Sequence, residues 1–193
     1  MAIPSNNPTR SNRTDLAVTI VGLWISIVVG GFWWYELRLI RPFLDNLALF
    51  DGQQLDASYR PNTNAVTLMH FGDPNCPCNQ FNTPHLEQIK SHYQPKGVQF
   101  VAWQQGSEIP PVQGFDKLHS TTELAFVPAT PAVAIWSSDG QLSYFGPYSS
   151  GLLCSLGEGF AETILDQLQA GLSPQVINTT GVGCFCPTQL QTI

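Results

Sequence analysis

The run Val66-Thr67-Leu68-Met69-His70-Phe71, the polar corner Gly72-Asp73-Pro74-Asn75 and the pair Cys76-Pro77-Cys78 decide how this chain is read. The first six residues are apolar and β-branched enough for a buried strand, and Gly-Asp-Pro-Asn ends it in a turn. Beyond the cysteines, a helix is predicted from about Cys78 to Tyr93, with Pro84 in its early turns. A sulfur at the head of a helix faces unpaired N–H groups and the positive end of the helix dipole. Both favour its thiolate.

Outward from this core the chain alternates. Gln94-Pro95-Lys96-Gly97 stops the helix, and Val98–Trp103 reads as a second strand. A strand–helix–strand unit of this length implies a parallel pair joined by a right-handed crossover. Residues 104–130 read as irregular, with one helical turn near Phe115–Leu124. Ala132–Trp136 and Gln141–Phe145 flank Ser137-Ser138-Asp139-Gly140, the signature of a hairpin. In Gly157–Ala170, Phe160, Ile164, Leu165 and Leu168 share one face, so an amphipathic helix is expected there. The tail from Gly171 shows no regular pattern and ends in Gly183-Cys184-Phe185-Cys186-Pro187.

The N-terminal part is of another kind. Leu16–Tyr35 carries no charge and ends in Phe32-Trp33-Trp34-Tyr35, an aromatic belt. Twenty helical residues span ~30 Å, the hydrocarbon thickness of a bilayer. A cleaved signal peptide would have a shorter apolar region and a small-residue cleavage site, so an uncleaved anchor is the better reading. Arg10 and Arg13 before the span balance Arg38 and Arg41 after it, so charge alone does not orient it. From Pro42 onward, four Lys or Arg stand against twelve Asp or Glu, a balance of −8 in a chain of net charge −6. Few cations oppose export of the domain, and no basic stripe is present to bind nucleic acid. The expected organisation is a tail (1–15), a transmembrane helix (16–35), a juxtamembrane segment (36–64), a domain (65–170) and a cysteine-bearing tail (171–193). In the juxtamembrane segment, Phe43, Leu44, Leu47 and Phe50 fit either a short interfacial helix or a linker packed on the domain.

The order β-α-β, irregular, β-β-α resembles the thioredoxin fold, an α/β class. In that family the first active-site cysteine ends the first strand and a proline follows eight residues later, as Cys76 and Pro84 do here. The family also has a cis-proline just before its next-to-last strand, and Thr130-Pro131 precedes Ala132–Trp136. The resemblance covers about residues 65–170. It departs where Asn79 stands at the usual place of the second cysteine. The anchor, the Cys-Pro-Cys and the Gly-Cys-Phe-Cys tail are similar to those of little-characterised bacterial membrane-anchored thioredoxin-like proteins. The likeness implies a single-pass protein of the bacterial inner membrane whose domain faces the periplasm. The likeness implies no known substrate; the leading reading is thiol–disulfide exchange without a cofactor, on exported thiol proteins or with a redox partner.

On this reading Cys76 is the attacking thiolate and Cys78 resolves the mixed disulfide. A ring closed between i and i+2 is small and strained, which favours an oxidase or isomerase over a strong reductant. Thr130 and Pro131 would offer a backbone edge to an extended substrate. His70 is either a proton acceptor for the resolving thiol, by analogy with a buried acid of thioredoxins, or a structural histidine. His85 reads as a helix-surface histidine. Cys154 could staple the tail through Cys184 or Cys186, or the tail pair could be a second redox couple serving Cys76 and Cys78. Copper or zinc held by Cys76, Cys78, Cys184 and Cys186 is the alternative chemistry. A non-catalytic interaction module is a third possibility.

Overall fold

The computed structural model describes residues 8–43, 52–106, 114–150 and 159–188. The chain divides into two units, Met1–Arg38 and Leu39–Ile193. The first is the helix α1, which runs Pro8–Leu39. Within it Thr14–Tyr35 is long and apolar enough to cross a membrane, with mean hydropathy 2.1 and no part buried. Its large side chains from Leu16 to Tyr35 are exposed.

The second unit is built on the strand that opened the sequence argument. Thr67–Gly72 (here β2, after the short β1 at Ile40–Pro42) is buried along its whole length. It lies between two neighbours, parallel to β3 (Gln99–Gln105) and antiparallel to β6 (Ala132–Trp136). Such a strand must be apolar on both faces, which explains its continuous run. The sheet continues from β3 to β4 (Lys117–Thr121), and from β6 to β7 (Leu142–Gly146) and β8 (Val176–Ile177). Gly140 makes the expected hairpin corner at φ 78°, a left-handed conformation that costs a glycine little.

Helices α3 (Pro77–Tyr93) and α4 (Phe160–Gln169) bury Leu86, Ile89, Ile164 and Leu165 with Leu68, Phe100 and Ile135. On the other face α2 (Gly52–Tyr59) contributes Leu55 and Tyr59 to a cluster with Met69, Phe71, Trp136 and Phe145. The neighbours of β2 and the crossover helix give the thioredoxin-like arrangement predicted from sequence.

Two expectations are corrected. The helical turn near Phe115–Leu124 is instead the edge strand β4, whose mostly exposed side chains leave no apolar alternation to read. The unpatterned tail forms β8, β9 (Val182–Cys184) and β10 (Cys186–Pro187). These strands are two or three residues long, too short for a periodic signal, and their partners lie far away in sequence. Leu44, Leu47 and Phe50 lie outside the described residues, whereas Phe43 is buried against Phe145 and Phe185. Phe43 thus packs on the domain, as the linker reading expects.

Candidate active site

The corner after β2 is tied by its own backbone. Asn75 N–H bonds Asp73 Oδ1 at 2.9 Å, Cys76 N–H bonds the Asp73 carbonyl at 3.0 Å, and Asn79 Nδ2 reaches that carbonyl at 2.5 Å. Cys76 is the N-cap of α3, in extended conformation, and Pro77 follows at the first helical position. There proline loses no hydrogen bond, because the first N–H groups of a helix have no intrahelical partner. Cys78 therefore lies in the first turn.

The two sulfurs are not joined to each other. Cys76 is bonded to Cys186 with a Cα–Cα distance of 5.9 Å, and Cys78 to Cys184 at 5.4 Å. This corrects the expected Cys76–Cys78 ring, and with it the argument from ring strain. The reason is register. In an extended tail, Cys184 and Cys186 project to the same side, and they meet the two cysteines of the helix head like rungs. Both tail sulfurs are thereby committed, so neither is free for a staple to Cys154. Cys154 itself lies outside the described residues. The matching Cys-x-Cys spacing in loop and tail fits this nested pairing but does not select it.

The tail is held by backbone on both sides. β9 pairs antiparallel with β1, Cys184 opposite Ile40, and β10 pairs antiparallel with β5 (Ala129–Thr130), Cys186 opposite Thr130. Thr188 N–H extends the second pairing to the Pro128 carbonyl at 3.0 Å. The Thr130-Pro131 bond is cis. Cys76 Sγ lies 3.7 Å from the Thr130 carbonyl oxygen. A disulfide sulfur carries no proton to donate, so this contact becomes a hydrogen bond only when Cys76 is a thiol. Cys76, Cys78 and Cys184 are buried, and Cys186 is partly exposed, so it is the sulfur nearest to solvent.

Polar side chains crowd the same corner. Asn79 Oδ1, both amide atoms of Asn82 and Thr130 Oγ1 are buried with no hydrogen-bond partner among the described residues. An unpaired buried polar atom costs about 1–3 kcal/mol. Sequence reading named Asn79 only as the residue at the usual place of the second cysteine and missed Asn82, because an asparagine in the first two turns of a helix is usually read as solvated.

His70 is buried on β2, and its Nδ1 lies 2.8 Å from the Tyr148 hydroxyl. Burial pushes the imidazole down to about 4, so it is neutral at pH 7 and a weak base. Gly72 makes room for it, since a Cβ there would stand 2.8 Å from His70 Nε2 and 2.9 Å from Asn79 Nδ2. An unfolded histidine takes up a proton near 6.5, whereas the folded one resists until about 4. Stability is therefore complete above pH 6.5 and falls as pH drops through this window, by about 2 kcal/mol at pH 5. Urea unfolding at pH 7 and pH 5, on the native chain and on His70→Phe, checks this. The variant should lose that part of the slope, and an equal slope in both would remove the assignment.

His85 is also a correction. It is not a surface residue but is buried, with Nε2–H donating to Glu162 Oε1 at 2.5 Å. A carboxylate supplied by α4 lets a helix histidine turn inward.

The sulfurs of Cys76, Cys78 and Cys186 lie within 4.8 Å of one another. As thiolates, with Cys184, they form a donor set suited to Zn(II) or Cu(I). As disulfides they carry no charge and hold no metal, so ligation requires reduction first.

A family model described as "Domain of unknown function (DUF6436)" matches residues 47–188. No curated protein matches the chain. Among solved structures, an uncharacterized conserved protein from Geobacillus kaustophilus is 20% identical with a TM-score of 0.51, over 68% of this chain and 80% of that one. A hypothetical protein from Sinorhizobium meliloti is 15% identical with a TM-score of 0.50, over 67% and 82%. A secreted Mycobacterium tuberculosis disulfide oxidoreductase is 19% identical with a TM-score of 0.39, over 70% and 98%.

Proposed function

The chain belongs to the DUF6436 family, and we propose that it is a membrane-anchored thiol–disulfide oxidoreductase whose C-terminal tail is a built-in redox partner. One observation carries this reading: both cysteines at the head of α3 are bonded to tail cysteines beside Thr130 and Pro131. That is the geometry of a mixed disulfide, made within one chain.

In the exchange, a thiolate of a partner dithiol attacks Cys186 Sγ, the more accessible sulfur. The partner–Cys186 bond forms, the Cys76–Cys186 bond breaks, and the electron pair leaves on Cys76. The N-terminus of α3 stabilises that thiolate and makes it a good leaving group. The partner's second thiolate then attacks its own mixed disulfide. The partner ends as a disulfide, and Cys76 and Cys186 end as thiols after taking up protons. Alternatively the Cys76 thiolate attacks Cys78 Sγ, forming Cys76–Cys78 and releasing Cys184. That step passes the disulfide between the pairs with no net oxidation.

A leaving group stabilised in this way destabilises its disulfide, which supports disulfide donation or isomerisation over strong reduction. Thr130 and Pro131 position the incoming strand, and His70 with Tyr148 sets the packing beneath the site. Disulfides persist in oxidising compartments, and the domain is acidic with few cations. Both support an inner-membrane anchor with the domain in the periplasm, acting on exported thiol proteins.

The test is to equilibrate the full chain, in detergent, with glutathione buffers and to map thiols and disulfides by mass spectrometry. Both nested disulfides are expected to exchange. Bonds that stay unreactive in the folded protein would make them static braces and sink the proposal. A second reading rests on the sulfur cluster. If the reduced chain takes up one Zn(II) or Cu(I) with all four thiols protected, and no exchange occurs, metal handling replaces redox chemistry.

A further inference from the structure

The tail also records what the site selects. We propose that the groove beside Cys76 takes an extended segment of a partner protein in which an aromatic residue immediately precedes the reacting cysteine. This deepens the oxidoreductase reading and rests on it.

The argument starts from alternation. Along an extended segment, successive side chains point to opposite faces. With Cys184 and Cys186 directed at the helix head, Phe185 is turned the other way, into the domain. There it is 4% exposed and packs edge-on against Phe43, ring centroids 5.4 Å apart. Phe43 in turn meets Phe145 at 5.7 Å, and Ala129 of β5 belongs to the same cluster. The residue before the reacting cysteine thus occupies an apolar seat built from two aromatic rings, Phe43 and Phe145, and the Ala129 methyl group. Its backbone is meanwhile fixed by the strand that ends at Thr130.

A partner segment that replaces the tail on Ala129–Thr130, with its cysteine bonded to Cys76, places its own preceding side chain over the same seat. An aromatic ring fills it as Phe185 does. Alanine leaves the face of Phe43 uncovered, and aspartate brings an unpaired charge there. The residue after the cysteine is free, because Pro187 in that position is exposed. The tail therefore competes with the partner for both the sulfur and the aromatic seat.

The test uses the full-length Cys184→Ser variant, which retains the Cys76–Cys186 bond, and three thiol peptides: Gly-Phe-Cys-Pro, Gly-Ala-Cys-Pro and Gly-Asp-Cys-Pro. In each exchange the peptide thiolate first attacks Cys186 Sγ and expels Cys76; the Cys76 thiolate then attacks the peptide sulfur, so the peptide ends bonded to Cys76 and Cys186 is released as a thiol. The readout is the fraction of peptide on Cys76, by mass spectrometry, with the fold monitored by circular dichroism. The Phe peptide is expected to be favoured over the Ala peptide by about tenfold. Phe185→Ala added to Cys184→Ser, where Cys76–Cys186 alone holds the tail, is expected to raise the yield of every peptide by a similar factor. Equal yields of the Phe and Ala peptides overturn the aromatic seat while leaving thiol exchange standing. If no peptide reaches Cys76, the oxidoreductase reading falls and takes this inference with it.

Discussion

Serine at position 76 is expected to lower disulfide exchange with a partner dithiol by at least about a thousandfold, the scale on which loss of a nucleophile acts. The geometry says why Cys76 differs from its neighbour. It caps α3, its sulfur lies 3.7 Å from the Thr130 carbonyl, and its bond partner Cys186 is the sulfur that solvent reaches. Cys78 lies inside the first turn and is bonded to buried Cys184. Cys78→Ser should therefore keep a single round of exchange through Cys76–Cys186 and lose the transfer to the second pair. Stopped-flow mixing with dithiothreitol, followed by alkylation, separates the two variants. Equal losses in both would mean that the pairs act as one unit, and unchanged exchange in Cys76→Ser would end the assignment.

The parts of this site that were legible in sequence are the local ones. The buried strand, the corner and the cysteine at a helix head follow from residues adjacent in the chain. Pro84 and Pro131 could be placed because each sits at a fixed offset from a recognisable element. The nested disulfides were not legible. Four cysteines allow three pairings, and spacing alone does not choose among them. The choice is made by β10 pairing with β5 and β9 pairing with β1. These are two- and three-residue strands whose partners lie more than fifty residues apart, and they have no periodicity of their own. His85 was misread for a related reason: its inward turn depends on Glu162, which only the docking of α4 brings near. Phe185 looked like an unremarkable aromatic in an unpatterned tail until the two flanking cysteines fixed which way it faces.

The second large effect concerns stability, and it should be non-additive. Cys76–Cys186 spans 110 residues and Cys78–Cys184 spans 106. In the chain-entropy account, closing a loop of ~100 residues contributes about 4.7 kcal/mol. The two bonds do not contribute this twice. Once either is closed, the other joins ends already held together, and it closes only the short ring that runs through the helix head and the tail. Its own share then falls below the ~3 kcal/mol of a 15-residue loop. Cys184→Ser or Cys186→Ser alone should therefore cost little, whereas the two together should cost about 4–5 kcal/mol. In a domain of this size that lowers the melting temperature by roughly 10–20 °C. Thermal unfolding of the full chain in detergent, for both single variants and the double, gives the coupling directly. Additive losses, or a double variant as stable as the native chain, would remove the argument. The same nesting bears on function. While one disulfide is being exchanged, the other keeps the tail on Ala129–Thr130 and the domain closed. The tail is released, and the groove with its unpaired Asn79, Asn82 and Thr130 groups opened, only when both bonds have been broken. Two disulfides in place of one thus separate exchange, which needs a single bond to open, from release, which needs both.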